Sequence, residues 1–277
     1  MSFLQRSLIA FVAMHFSVTS AFAETRTNVG LEAHPNFCNL GGYRTADGRT
    51  LQTGMVFRSG ELPRTTDADL TTLEELGIRT VVNFLPESEI ESRAPDRLPS
   101  GIREISLPLT GDVNGITDAA NTLVEARNSG DFHNFPPEFN PLAHEELVGG
   151  LADAQYAELF KLFSDEASYP IVFHCSHGIH RTGTAAALVL TALGVPWETV
   201  RQDYLLSNTT RADEVAPRIL QINELAKNIE MSSEDRARNA ADIDAFYLLE
   251  AEYIDASRSQ ATERFGGAQA YIEQGLD

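Results

Sequence analysis

From residue 66 onward the apolar positions fall into short runs with two periods. Leu70, Leu73 and Leu76 recur at helical spacing behind Thr66, which forms a capping-box pair with Asp69, and Gly77 closes the run. Thr80 to Phe84 then reads as a β-branched strand. Ile105, Leu107 and Leu109 alternate as a second strand, ending at Thr110-Gly111-Asp112. Tyr169 to His174 is a third, and its unbroken Ile171-Val172-Phe173 predicts a strand covered on both faces, as in a parallel sheet. Ala152 to Phe163 carries an apolar helical face ahead of that strand; Arg181 to Leu193 follows it and stops at Gly194, before Pro196. Further on, Val215, Ile219, Ile222, Ala226 and Ile229 form one stripe, and Phe246, Leu249, Tyr253 and Ala256 another. Strands and helices in alternation predict an α/β layered domain with a parallel or mixed sheet, extended by a helical C-terminal part. Two stretches lack these periods. Asn36 to Ser59 reads as loops and short strands ending in Val56-Phe57, and Val113 to Gly150, with Pro136-Pro137 and Pro141, as an insertion able to serve as a lid.

Composition narrows the field. With 277 residues, 43% of them apolar, the chain has enough material for a substantial core. Forty acidic against 21 basic side chains give a formal charge of -19, with no run of Lys or Arg. That balance excludes a general binder of nucleic acid or anionic membrane and leaves room for a local phosphate pocket. Two Cys make no disulfide framework. At the start, Arg6, the mostly apolar Ser7 to Phe16 and Ala21-Phe22-Ala23 fit a secretory signal peptide over residues 1–23, too short in its apolar part to span a bilayer. Cleavage there would open the mature chain at Glu24 and, by removing Arg6, bring the charge to -20. The expectation is an exported product, periplasmic or secreted, with residues 24–277 as a single domain and no stable membrane insertion.

The chemistry concentrates in His174-Cys175-Ser176-His177-Gly178-Ile179-His180-Arg181-Thr182-Gly183. This stretch joins a buried strand to a helix, so backbone amides and the helix N-terminus converge and form a phosphate cradle. Cys175 stands where a nucleophile is needed, held as thiolate by the same dipoles. Arg181 returns after five residues, far enough for Ser176 to His180 to curl around a tetrahedral anion beneath a two-pronged guanidinium. Thr182 is placed to donate to the sulfur when it leaves. A buried structural Cys, and a metal held by His174, His177 and His180, are weaker readings: the three histidines lie on a tight loop rather than one helix face. No metal or other cofactor is expected.

At these residues the chain resembles the Cys-dependent protein-tyrosine phosphatases. Asn36-Phe37-Cys38-Asn39-Leu40-Gly41-Gly42-Tyr43, Phe57-Arg58-Ser59, Leu76-Gly77-Ile78, Asp203-Tyr204-Leu205-Leu206-Ser207-Asn208 and Phe265-Gly266-Gly267 with Tyr271 are similar to the bacterial family of secreted tyrosine and phosphoinositide phosphatases. The resemblance implies a phosphatase-like central, mostly parallel sheet flanked by helices, a phosphocysteine intermediate without metal, Cys175 as nucleophile and Arg181 as phosphate clamp. The chain departs from that pattern. Cys38-Asn39 stands for Arg-Asp, Asn83-Phe84-Leu85 for Asp-Leu-Arg, and His177-Gly178-Ile179-His180 for Ala-Gly-Lys-Asp. Ile179 in place of the Lys weighs against multiply phosphorylated lipids. Because Cys38 replaces a residue the family keeps near its site, a reversible Cys38-Cys175 disulfide is a further expectation.

With the loop Asp missing, Asp112 is the first choice of general acid, following a strand where related phosphatases place an acid, with Asp118 and His180 as competitors. Arg58 and Ser59 are expected to support the loop from behind. The leading reading is an exported phosphomonoesterase acting on a phosphorylated protein or small phosphomonoester. A non-catalytic phosphate-binding module, a phosphoinositide phosphatase and a sulfurtransferase are the alternatives.

Overall fold

The computed structural model describes residues 27–109, 125–133, 135 and 138–276. β1 (Thr27–Asn28) and β2 (Cys38–Asn39) add antiparallel to one edge of a parallel set formed by β3 (Val56–Ser59), β4 (Thr80–Asn83), β5 (Arg103–Ser106) and β6 (Ile171–His174). The order is β1-β2-β3-β6-β4-β5, so the last strand of the chain lies between two earlier ones. It also ends level with them: Ser59 and Asn83 both stand opposite His174. The longer helices are α1 (Asp67–Glu75), α2 (Glu87–Arg93), α3 (Phe139–Glu146), α4 (Asp153–Phe163), α5 (His180–Ala192), α6 (Trp197–Thr210), α7 (Ala212–Ala226), α8 (Ser233–Tyr247) and α9 (Ala251–Phe265).

The period of two along β6 explains why it is apolar throughout. Ile171 and Phe173 pack with Val56, Val82 and Phe84 in a large core that takes in residues of α4, α5 and α9. Val172 points the other way, to Phe57 and Val81 beneath Leu73 of α1. The α1 capping box is complete: Thr66 Oγ1 accepts from Asp69 N at 3.1 Å, and Asp69 Oδ2 accepts from Thr66 N at 3.1 Å.

Three expectations shift. β5 spans Arg103–Ser106, and Leu107 and Leu109 follow it as unassigned backbone, their amides still donating to Asn83 O and Phe84 O at 2.9 and 3.1 Å. The stripe from Phe246 to Ala256 is two helices, because Leu248 is extended (φ -97°, ψ 138°). The Asn208 side chain holds that break, donating to Leu249 O and accepting from Leu249 N, each at 2.8 Å. Helix α2 was not expected at all; Pro86 precedes it, acidic residues occupy its first turn and Arg93 its last, the charge order a helix dipole favours.

Residues 110–124, including Asp112 and Asp118, and residues 1–26, with the expected signal peptide, lie outside the described part. Of the segment expected as an insertion, 125–129 is helical, while Phe132 and Phe135 pack with Val215, Ile222 and Tyr247 in a cluster of their own. Helix α3 lies against α9 and carries the fully buried His144. Among the described residues no helix is long and apolar enough to cross a membrane.

Candidate active site

β6 delivers Cys175 at the C-terminal edge of the sheet, and five residues later the chain is already in α5, so Cys175 to Arg181 must curl tightly. Gly178 makes the curl feasible. Its φ is 68°, and a Cβ there would lie 2.6 Å from Ser59 O, so both the left-handed backbone and the contact with β3 exclude a side chain.

What turns the loop amides inward is a set of donors pulling its carbonyls outward. Glu61 N donates to Ser176 O at 3.1 Å. The Asn36 amide donates to His177 O and Gly178 O at 3.2 and 3.1 Å. Arg58 Nη2 reaches Gly178 O at 2.7 Å while its Nη1 bonds Asp203 Oδ2 at 2.8 Å, and the Tyr43 hydroxyl donates to the other Asp203 oxygen at 2.8 Å. Arg58 is fully buried and Asp203 nearly so. The expected support by Arg58 is therefore direct, and Asn36, Tyr43 and Asp203 join it.

Cys175 is buried, its sulfur in contact with the Thr182 hydroxyl and the amides of Thr182 and Gly178. Burial alone would push the thiol up; the Arg181 guanidinium, the Thr182 hydroxyl and the amides of Thr182 and Gly178 outweigh it and bring the thiol below its ordinary range. Arg181 is held from behind by Glu89 of α2, Nη1 to Oε1 at 2.8 Å and Nη2 to Oε2 at 2.9 Å. That end-on pair orients the guanidinium edge next to Cys175. Beneath the loop, His174 Nε2 lies 2.9 Å from Asp96 Oδ2, and Asp96 also accepts from Asn83 Nδ2 and Leu62 N at 3.0 and 2.8 Å. Burial pushes the Asp96 carboxyl up, but His174 and these donors hold it lower than usual.

The other two loop histidines are kept neutral. Burial, then Arg211, Arg93 and Arg127, push His177 well below its ordinary value. Burial, then Arg181 and Arg211, push His180 down to about 4. His180 Nδ1 lies 3.2 Å from His144 Nε2, itself 2.9 Å from the Tyr204 hydroxyl, and His144 Nδ1 is 2.9 Å from Thr184 Oγ1. Among the described residues no three His, Cys, Asp or Glu side chains gather as metal ligands.

Neither Cys is in a disulfide, and the register gives the reason. Cys38 pairs with Arg58, which pairs with Phe173, so a whole strand separates Cys38 from β6. Two strand spacings are about 9.5 Å and Cys175 lies two residues beyond, past the roughly 7 Å Cα separation a disulfide spans.

Above the loop opens a cleft of about 610 Å³ lined by His177, Ile179, His180 and Arg181 of the loop and by Leu109, Phe139 and Phe246. Leu109 stands three residues before Asp112.

A family model described as the tyrosine phosphatase family matches residues 29–277. The triple specificity protein phosphatase PtpB of Mycobacterium tuberculosis is 28% identical over 237 residues, 80% of this chain and 86% of that protein. A Cupriavidus necator protein, named provisionally as a tyrosine-protein phosphatase, is 28% identical over 283 aligned positions, 99% of this chain and 94% of its own length. Among solved structures, that of P. aeruginosa TpbA matches at 15% identity and TM-score 0.32, covering 69% of this chain and 89% of TpbA.

Proposed function

The chain belongs to the tyrosine phosphatase family and is a phosphoric monoester hydrolase, and from that premise we propose that it is an exported enzyme acting on phosphotyrosine or a similar aryl or small-molecule phosphate through a phosphocysteine on Cys175. The observation that carries this is the placement of Cys175: it is buried at the end of β6, at the mouth of the loop that runs into α5, beside an Arg181 guanidinium that Glu89 holds end-on at 2.8 and 2.9 Å.

In the proposed reaction the Cys175 thiolate attacks phosphorus. The S–P bond forms as the ester P–O bond breaks, and the departing oxygen takes a proton from the general acid. Arg181 and the loop amides bind the equatorial oxygens, whose charge grows in the transition state. Water then attacks the phosphocysteine, giving one proton back to the general acid: the new P–O bond forms as the S–P bond breaks, inorganic phosphate is released and the electron pair returns to sulfur as thiolate, which Thr182 stabilises. Asp112 remains the proposed acid, favoured by its closeness in sequence to Leu109, which lines the cleft. His180 is the weaker candidate, because a ring that protonates only near pH 4 carries no spare proton at neutral pH.

The decisive assay is hydrolysis of a chromogenic aryl phosphate by the wild type and Cys175→Ser, with and without chelator. The expected result is chelator-independent turnover that Cys175→Ser abolishes while retaining vanadate binding. Turnover by Cys175→Ser would overturn the phosphocysteine, and a wild type that binds phosphate without turnover would favour the binding module. Asp112→Asn is expected to slow alkyl phosphates far more than activated aryl phosphates, and the same pattern in His180→Asn alone would reassign the acid. Export is tested by the N-terminal residue of the mature protein, expected at Glu24.

A further inference from the structure

We infer that the cleft contains a second anion subsite, centred on Arg211 and completed by Arg93 and Arg127, which takes a negatively charged group carried by the substrate in addition to its scissile phosphate. The inference rests on the phosphomonoesterase reading and narrows it to a class: small phosphate monoesters bearing a second phosphate or a carboxylate.

Arg211 sits at the junction of α6 and α7, its amide donating to Ser207 O at 3.1 Å, so its backbone is fixed by both helices. Its side chain is 6% exposed and lines the cleft. Nε makes a 3.3 Å contact with Glu214, a carboxylate that is 41% exposed; among the described residues the two terminal nitrogens have no partner. A guanidinium has five N–H donors, and one so deeply placed is expected to have most of them satisfied. An anion in the cleft would supply what the protein does not.

Arg211 is not alone. It is the strongest charged influence on His177, followed by Arg93 and Arg127. The three come from separate parts of the chain: the end of α2, the helical stretch 125–129 and the α6–α7 junction. Like charges brought together by three elements repel one another, and an anion among them reverses the sign of that interaction. Arg127 is preset, its Nε donating to the Tyr247 hydroxyl at 3.2 Å and its guanidinium lying over Phe246 and Tyr247 at 5.5 and 5.7 Å. Arg93 lies at the rim, 3.1 Å from Glu61.

Three acids line the cleft and none closes off the group: Glu214 meets Arg211 through Nε alone and is itself 41% exposed, Glu89 is engaged end-on by Arg181, and burial, then Glu145, push the Glu146 carboxyl above its ordinary range. The loop amides belong to the first phosphate, and Ile179 brings no charge to the loop. A second anion therefore has its binding groups on the helices.

The test is calorimetric titration of full-length Cys175→Ser with phenyl phosphate, 3-carboxyphenyl phosphate and 1,3-phenylene bisphosphate, which reads binding whether or not the wild type turns over. The doubly anionic esters are expected to bind about tenfold tighter than phenyl phosphate, and Arg211→Gln in the same background to bring that ratio near one. Preference for the bisphosphate alone identifies the second group as phosphate; preference for both identifies any anion. Arg93→Gln, at the exposed rim, is expected to reduce the ratio partially and keeps the test open if Arg211→Gln fails to fold. Equal affinities for the three esters, or a ratio unchanged in both variants, would overturn the subsite. Selectivity seen only with acidic phosphotyrosine peptides would overturn the small-molecule class. Absence of wild-type turnover would count against the phosphatase reading and leave these binding ratios standing.

Discussion

The underside of the phosphate loop and the aromatic wall of the cleft are built on opposite principles. Below the loop, Asn36, Arg58, Asp203 and Tyr43 form directional bonds, most of them buried, that fix individual carbonyls. On the aromatic wall, Phe139 and Phe246 line the cleft and pack with Phe132 and Phe135, ring centroids 5.0 to 6.3 Å apart. Directional bonds set atom positions to fractions of an ångström, which in-line attack at phosphorus requires. Ring packing fills volume and tolerates a change of shape. Damage to the underside should therefore appear in turnover, and damage to the wall in substrate affinity.

The largest effect is expected for Arg58→Met. It leaves Asp203 a buried carboxylate without its cation and takes the shorter of two donors from Gly178 O, so denaturant melts should show a loss of about 3–5 kcal/mol, and turnover of aryl phosphate should disappear. Gly178→Ala comes next. The added methyl must displace the loop from Ser59, and a shift approaching 1 Å is expected to lower kcat/KM about 100-fold, with a smaller change in Tm. Unchanged kinetics in Gly178→Ala would break the claim that the underside sets the geometry.

A pH titration of stability sharpens the contrast further. His180 protonates near pH 4 when folded, because burial and the neighbouring arginines oppose its charge, and near 6.5 when unfolded. Between those values the unfolded chain holds more protons, so this contribution is intact above about pH 6.5 and is lost as pH falls toward 4. Buried His144 has the same sign, its charged form opposed by burial and then by His180. Urea midpoints measured at steps through this window should decline on acidification, and more gently in His180→Asn. The smallest effect belongs to the wall. Phe246→Leu should cost about 1–2 kcal/mol of stability and raise KM severalfold at nearly constant kcat. A selective fall in kcat would show that the wall also orients the reacting atoms.

How much of this was legible in the sequence follows the range of the contacts. The Cys175–Arg181 loop, the buried strand before it and the helix after it are one local pattern, and the Thr66–Asp69 box is another. Glu89, Asp96, Asn36, Asp203 and His144 reach the site across the fold: Glu89 meets Arg181 92 positions away, and Arg58 meets Asp203 145 away. No period or spacing records such a meeting. Glu89 had a local trace, the acidic first turn after Pro86, but nothing in it pointed to Arg181. The stripe from Phe246 to Ala256 misled because an extended residue at Leu248 leaves Leu249 and Tyr253 both buried. Cys38 misled for the converse reason: proximity inferred from a family motif says nothing about the strand that intervenes.

The arginine-lined cleft in so acidic a chain also bears on how fast substrate arrives. A dianionic phosphate diffusing toward a molecule of formal charge -19 is repelled at long range and attracted only at the mouth. Added salt shortens the screening length to about 8 Å at 0.15 M, which weakens the distant repulsion more than the contact with buried guanidinium groups. Productive encounters should thus become more frequent with rising ionic strength, while dissociation of bound substrate quickens only slightly. The rate constant for association, followed by stopped flow, would then climb with salt, the reverse of an enzyme whose whole surface draws its substrate in.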